Sequence, residues 1–282
     1  SISYNGTVGN DIGGIGISVS SSSAANINRN FISYNIHTGV VVVGGSEWSE
    51  YVNALDSYGE LDESKQNKKL YNINSALYSM ADNIIEANSD YGVLGFYYVN
   101  LRMNGGNLIS QNGQSGIVIG DKTKANIYNK NLIQRNHGYG ILAQGNDCEA
   151  IVANDIIKEN NAAGIAALQG AFLTVRNQTS IYRNKQYGVF VSGEGTKAQL
   201  KFISINNNSN CGIYIEKNAI ATLKDASSVT KNRCNGIAVH AGGQLNCFGK
   251  VSVAYNKGNG IPIQGLKYLI HISEEIMVEE SI

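Results

Sequence analysis

The sequence predicts an all-β fold: one right-handed parallel β-helix solenoid of about ten coils, three strands per coil. Three observations predict it. Asn recurs every 24 residues at Asn88, Asn112, Asn136, Asn160, Asn184, Asn208, Asn232 and Asn256. Four residues after each Asn stands a Gly, from Gly92 to Gly260, followed directly by Val93, Ile117, Ile141, Ile165, Val189, Ile213, Ile237 or Ile261. Three residues before each Asn stands Ile85, Ile109, Ile133, Ile157, Ile181, Ile205, Val229 or Val253. The unit is therefore [IV]-x-x-N-x-x-x-G-[IV]-x-Φ, where Φ is usually apolar.

Each part of the unit has a physical reading. Ile and Val are β-branched and suit strands. The alternation after each Gly turns the Ile and the Φ residue to one face. One repeat cannot bury that face alone, so repeats must stack. Stacked coils pair their strands in parallel about 4.8 Å apart, and equivalent residues lie over one another. Parallel crossovers favour a right-handed coil. The Asn column then forms an amide ladder at a bend. Gly and Asn are the residues expected to supply positive φ at the turns.

The remaining elements follow in order. Ile2-Ser3-Tyr4-Asn5 and Ile32-Ser33-Tyr34-Asn35 open the repeat, the first with a longer turn before Gly14-Ile15. Asn35 and Asn88 are 53 residues apart, which is 24 + 29. A loop of about 29 residues is thus inserted near residues 46–74. A third, looser strand joins the other two, as at Ala125-Asn126-Ile127, Ala198-Gln199-Leu200 and Ala219–Leu223. Its position drifts by a residue or two, so the turn before it varies. Gly120, Gly145, Gly170, Gly193 and Gly243 mark that turn. The solenoid spans residues 1–267 and is about 50 Å long. After Pro262 the pattern stops, and residues 268–282 form an apolar, acidic tail suited to cap an open sheet edge.

Composition narrows the function. Gly is abundant at 32, Pro occurs once, and charged residues make up 16%. No run of about 18 apolar residues is present, so no membrane span is expected. No basic and apolar signal segment opens the chain. Cys148, Cys211, Cys234 and Cys247 show neither a disulfide framework nor a metal-binding spacing, so no metal is expected. Cys211 and Cys234 fall on neighbouring coils one position out of register, which leaves a bridge between them open. No cofactor is expected, and no arginine cluster or aromatic-basic alternation points to nucleic acid.

The N-x-x-x-G-[IV] unit resembles the short parallel β-helix repeat of the right-handed parallel β-helix, or pectin-lyase-like, superfamily. The resemblance covers nearly the whole chain. It implies the fold and not one activity. The superfamily includes polysaccharide lyases, glycoside hydrolases, uronate epimerases, phage tailspikes, adhesins and the recognition domains of certain F-box ubiquitin-ligase subunits. Ala219–Leu223 followed by Asn232–Gly236 is similar in style to the last group. The hydrolase-type signatures expected from the resemblance (an Asn-Thr-Asp run, an Asp-Asp pair, Gly-His-Gly) are missing.

The outward columns locate candidate sites. Between the inward residues of the Gly-Ile strand the column reads Val41, Leu94, Val118, Leu142, Ala166, Phe190, Tyr214, Ala238, Pro262. None is charged. It is an apolar stripe where a catalytic face would carry polar groups, and such a stripe marks an interface. With Phe96 of the next outward column and Trp48 of the insert, Leu94, Val118, Leu142, Phe190 and Tyr214 are the candidate binding residues. Trp48, Tyr51 and Leu55 fall at helical spacing, as a short amphipathic helix lying on the stripe would require. The next outward column offers one catalytic constellation: Glu216 and His240 on adjacent coils, beside Tyr214, as carboxylate and imidazole partners. The bland alternative is a solvated Glu-His contact. His37, His137 and His271 read as isolated turn or tail residues.

Charge is uneven. The insert carries Glu47, Glu50, Asp56, Glu60, Asp62 and Glu63. Residues 84–270 hold 18 Lys or Arg and ten Asp or Glu, so 18 − 10 gives +8. Such a body attracts an anionic polymer or its own acidic insert, or simply scatters basic residues over a solvated surface. The favoured reading is a non-catalytic recognition or scaffold module that binds protein or polysaccharide through the stripe, with lateral self-association a further outcome. The alternative is a carbohydrate-active enzyme of lyase or uronate epimerase type using Glu216, His240 and Tyr214. Extracellular, cell-surface and intracellular scaffold settings all fit.

Overall fold

The computed structural model describes residues 2–3, 14–20, 25–44, 77–261, 270–273 and 276–278. The Trp48 insert, Pro262 and most of the acidic tail lie outside these residues, so the expected helix at Trp48, Tyr51 and Leu55 falls there too. Among the described residues every regular element is a strand, and all pairings are parallel. Three sheets result: eleven strands from Ile2–Ser3 to Ile276–Val278, nine from Ile17–Ser20 to Ile237–Val239, and ten from Ala25–Asn28 to Ile270–Ser273. They are called here the Asn-side sheet, the Gly-Ile sheet and the third sheet. The described residues form nine complete three-strand coils, slightly fewer than the ten expected. The strands Ile2–Ser3, Ile270–Ser273 and Ile276–Val278 extend sheets at the ends without closing another triplet.

The interior is two rows of aliphatic side chains. Ile85, Ile109, Ile133, Ile157, Ile181, Ile205, Val229 and Val253 have no exposed surface, nor do Val93, Ile117, Ile141, Ile165, Val189, Ile213 and Ile237. Paired residues are in register down the stack, as Ile109↔Ile133 and Ile117↔Ile141. The third sheet adds Leu101, Ile127, Val152, Leu173, Leu200, Leu223 and Leu245 to the same core. Its offset varies: Ala125 pairs with Ala150, Ala150 with Leu173 and Leu173 with Ala198, steps of 25, 23 and 25. The turns on either side of it absorb the difference, so from Ile85 onward the other two sheets keep their 24-residue period. The 53-residue step from Ile32 to Ile85 likewise enters between Val43 and Leu77, at the corner before the third sheet.

The Asn bend explains the motif. Nδ2 of each ladder residue, from Asn35 to Asn232, donates to Oδ1 of the next at 2.7–3.1 Å. Each backbone N–H donates to the same oxygen. The Gly four residues later is required by close approach. A Cβ on Gly140 would lie 2.8 Å from Asn160 Nδ2, 2.6 Å from Ile157 Cγ2 and 2.5 Å from Gly164 O. Asn, Ile and Gly therefore specify one another across coils. The residue before each Asn takes positive φ, but the sequence expectation of Gly or Asn there is not met. Tyr34, Ala87, Gln111, Arg135, Glu159, Arg183, Lys231 and Tyr255 all do so, with Asn207 the one Asn. The ladder and flanking strands fix that bend, which outweighs the roughly 1–2 kcal/mol that the left-handed conformation costs a residue with a Cβ.

A second ladder occupies the preceding corner. Asn30, Asn83, Asn107 and Asn131 hydrogen-bond in sequence at 2.7–3.3 Å. Asn131 then donates both N–H and Nδ2 to Asp155 Oδ1, at 2.8 and 3.0 Å. There the ladder stops, because the next position is Thr179, whose hydroxyl donates to Arg176 O. Asp155 Oδ2 is buried without a hydrogen-bond partner among the described residues. Burial pushes the Asp155 carboxyl up to about 6, against the hydrogen bonds from Asn131.

Two outcomes follow. Asn160→Ala leaves the N–H and Nδ2 of Asn136 without their shared acceptor and removes one of the two donors to Asn184 Oδ1, and urea unfolding should show a loss of about 3 kcal/mol or more. Asp155→Asn should stabilise the fold at neutral pH. The folded-state pKa of Asp155 is raised from the ordinary 3.8, so its stabilising contribution is present below that value and lost as pH rises through about 6. An amide does not titrate. The melting temperature of the Asn variant should exceed that of the parent by about 5 °C above pH 7. The gap should close towards pH 4. A gap that stays constant with pH would exclude this account.

Candidate functional site

The outward face of the Gly-Ile sheet is built by alternation. Val93, Ile117 and Ile141 point inward, so Leu94, Val118 and Leu142 point out. These outward residues form a second apolar cluster with Val41, Val43, Tyr91, Phe96 and Ala166, separate from the interior core. The stripe is not the open strip that the sequence suggests. Val41, Leu94 and Val118 have no exposed surface, and Phe96 and Leu142 are buried. Tyr97, Tyr139, Leu168 and Phe190 pack against them. Only towards the C-terminal end do Phe190 and Tyr214 remain half-buried.

An aromatic patch forms at that end. Phe190 and Tyr214 pair in register on adjacent strands, with ring centroids 5.9 Å apart. Tyr187, in the turn before Gly188, stacks on Tyr214 at 4.6 Å and meets Phe190 at 5.5 Å. His240 stacks on the same Tyr214 at 5.2 Å, with the planes 20° apart. Four rings on three successive coils thus make one platform. Tyr187 is the member that sequence reasoning missed. Its column also contains Tyr91, Tyr139, Cys211 and Asn235, so no constant residue type marks it. Burial, followed by the neighbouring Tyr214, Cys211, Glu216 and Cys234, pushes the Tyr187 phenol up to about 12, so it is a neutral hydrogen-bonding group at ordinary pH.

The predicted Glu216–His240 constellation is placed as follows. The register Ile215↔Val239 sets His240 one coil on from Glu216. The Glu216 carboxylate accepts from Ser192 Oγ at 3.0 Å and lies 3.7 Å from Lys217 Nζ. The ring of His240 is stacked on Tyr214 and exposed on its other side. Among the described residues no hydrogen bond joins Glu216 to His240. Tyr214 is the residue brought against His240, and Ser192 is the partner of Glu216 that sequence reasoning did not identify.

Two further surface features were not read from the sequence. His37 is paired, its Nδ1 3.0 Å from Asp90 Oδ2 one coil on, and Gln114 donates to the other oxygen of Asp90. On the Asn-side sheet, Phe31, Ile84, Leu108, Leu132 and Ile156 form an outward row in register, and Phe31, Ile84 and Ile156 are exposed. From Ser180 to Ser252 that row is Ser. Among the described residues no group of three or more His, Cys, Asp or Glu is arranged to hold a metal ion. Among them, too, no helix is long and apolar enough to cross a membrane.

A family model described as "Right handed beta helix region" matches residues 105–257. A solved structure of the periplasmic alginate epimerase AlgG aligns over 92% of this chain with a TM-score of 0.60 and 13% identity. This chain spans 61% of that epimerase. The A-module of the Azotobacter vinelandii mannuronan C-5 epimerase AlgE4 aligns over 93% of this chain and 91% of its own, with a TM-score of 0.49 and 14% identity. No curated protein matches the chain significantly by sequence.

The two ends of the stripe should respond differently to one charge. Val118→Asp places a carboxylate where no surface is exposed, so chemical unfolding should show a loss of about 3 kcal/mol or more. Phe190→Asp, at the open end, should cost about 1 kcal/mol and keep the β-sheet circular dichroism. Equal losses at both positions would rule out the distinction.

Proposed function

Since the chain belongs to the right-handed beta helix family, we propose that it is a non-catalytic recognition module that holds a polysaccharide on the outward face of its Gly-Ile sheet. The aromatic platform of Tyr187, Phe190, Tyr214 and His240 carries this reading. Aromatic faces are electron-rich and favour contact with the C–H face of a pyranose ring. Four rings across three coils offer an extended contact rather than a single pocket. Glu216, Lys217 and the exposed edge of His240 border the platform with hydrogen-bonding groups for sugar hydroxyls. The net positive charge of residues 84–270 favours an acidic polymer. The solved epimerase with the same fold, named for alginate, supports a polysaccharide as the ligand class.

One observation favours a second reading. His240 lies one coil from Glu216 with Tyr214 stacked beneath it. A lyase or epimerase needs a base and a positioned acid beside a uronate ring. Against it, Glu216 is engaged by Ser192 and Lys217, and the stripe column that contains Tyr214 carries no charged group.

The two readings separate in one experiment. The chain is titrated with alginate, pectate and neutral glucan oligosaccharides by calorimetry. The same mixtures are assayed for unsaturated ends by absorbance and for altered uronate composition by NMR. Binding without turnover is expected. Tyr214→Ala should weaken binding at least tenfold, about 1.4 kcal/mol, while circular dichroism is unchanged. Turnover that disappears in His240→Ala would replace the binding module with the enzyme. Retained binding in Tyr214→Ala, or no binding to any polymer, would sink the platform as the contact surface.

A further inference from the structure

We propose that Cys211 and Cys234 are a redox modification site, in which a small-molecule disulfide such as glutathione disulfide oxidises the two thiols to a bridge clamping successive coils beside the aromatic platform. Both cysteines are free, and their sulfur atoms lie 2.9 Å apart. Neither backbone has to travel. The two turns are held together by Gly212 N–H on Asn235 O at 3.1 Å and Ile213 N–H on Gly236 O at 2.9 Å. Adjacent coils sit about 4.8 Å apart. Offset along the chain by one residue, about 3.3 Å, the two Cα atoms lie roughly 6 Å apart, within the roughly 4.4–6.8 Å that a disulfide spans. The sulfurs need to close by less than about 1 Å to reach bonding distance.

Accessibility orders the chemistry. Cys211 is buried, whereas Cys234 is half-buried and is met first from solvent. The Cys234 thiolate attacks one sulfur of the reagent, forming a mixed disulfide and expelling one reagent thiolate, which takes up a proton. Cys211 then loses its proton to solvent and attacks the sulfur of Cys234. The bridge forms and the second reagent thiol leaves. Two protein thiols are oxidised by two electrons, and one reagent disulfide is reduced to two thiols. Burial, and then the hydrogen bond and charge of Cys234, push the Cys211 thiol up to about 12. Cys148 and Cys247 are buried in the interior core, where burial pushes them up to about 12 and about 11. Cys148 instead donates to Ile119 O. The pair borders the site: Tyr187 lies close enough to feel both sulfurs and stacks on Tyr214. The inference stands whether or not the platform binds sugar.

The folded chain is incubated with glutathione disulfide, then unfolded, alkylated and measured by intact mass and peptide mapping. Wild type should lose about 2 Da before alkylation and keep two alkylatable thiols, Cys148 and Cys247. The mapped bridge should join Cys211 to Cys234. Its melting temperature should rise by several degrees and fall back on reduction with dithiothreitol. Cys211→Ser, which lacks the resolving thiol, should retain a stable glutathione adduct on Cys234. Cys234→Ser should form no bridge. Four alkylatable thiols in treated wild type, a persistent adduct on wild-type Cys234, or a bridge to another cysteine would each overturn the proposal.

Discussion

At the Asn bend, the space a side chain would need on one coil is already filled by the next. Asn160 Nδ2, Ile157 Cγ2 and Gly164 O all lie where a Cβ on Gly140 would be, and the same meeting recurs at Gly92, Gly116, Gly164, Gly188, Gly212 and Gly236. Three residue types are thereby coupled. The amide ladder sets the vertical spacing, the aliphatic row fills the interior, and the glycine admits both. A backbone bent into the left-handed region just before each Asn is held there because two donors of one coil converge on one oxygen of the next.

This coupling also determines where polar groups can be buried. An amide in a ladder is both donor and acceptor, so it satisfies the coils on either side of it. A carboxylate is an acceptor only. Asp155 therefore completes the bonds of Asn131 and offers nothing onward, leaving Oδ2 unpartnered. At the same level the outward row of the Asn-side sheet changes from aliphatic to Ser, from Ile156 to Ser180. Each coil meets only its neighbours, so such changes remain local and do not disturb the register of the sheets.

Much of this was legible in the amino-acid order because the period is constant. Residues in the Ile, Asn and Gly columns repeat at 24 and meet copies of themselves, so burial at Ile117, Ile141 and Ile165 could be read directly. The second ladder was present in the sequence at Asn83, Asn107 and Asn131 but is short and ends in Asp155, which weakens the pattern. The burial of Leu94 and Val118 was not legible. Alternation says which way a side chain points and does not say what packs against it. Phe190, Tyr214 and His240 could be placed on one face from their columns. Tyr187 and Ser192 could not, since their roles come from neighbours one coil away and their columns contain many residue types. The left-handed bends at Arg135 and Glu159 were also hidden, because tertiary hydrogen bonding overrides residue preference there.

The variable turn before the third sheet has a consequence for how such a molecule changes over time. From Ile85 onward, steps of 23 and 25 residues are tolerated at this corner while the Asn corner stays fixed at 24. The 29 extra residues between Val43 and Leu77 enter along this same line. One edge of the solenoid is thus a seam at which length is neutral. New segments can be acquired there by lineages, or grafted by engineers, beside the Gly-Ile face and without re-registering a single rung.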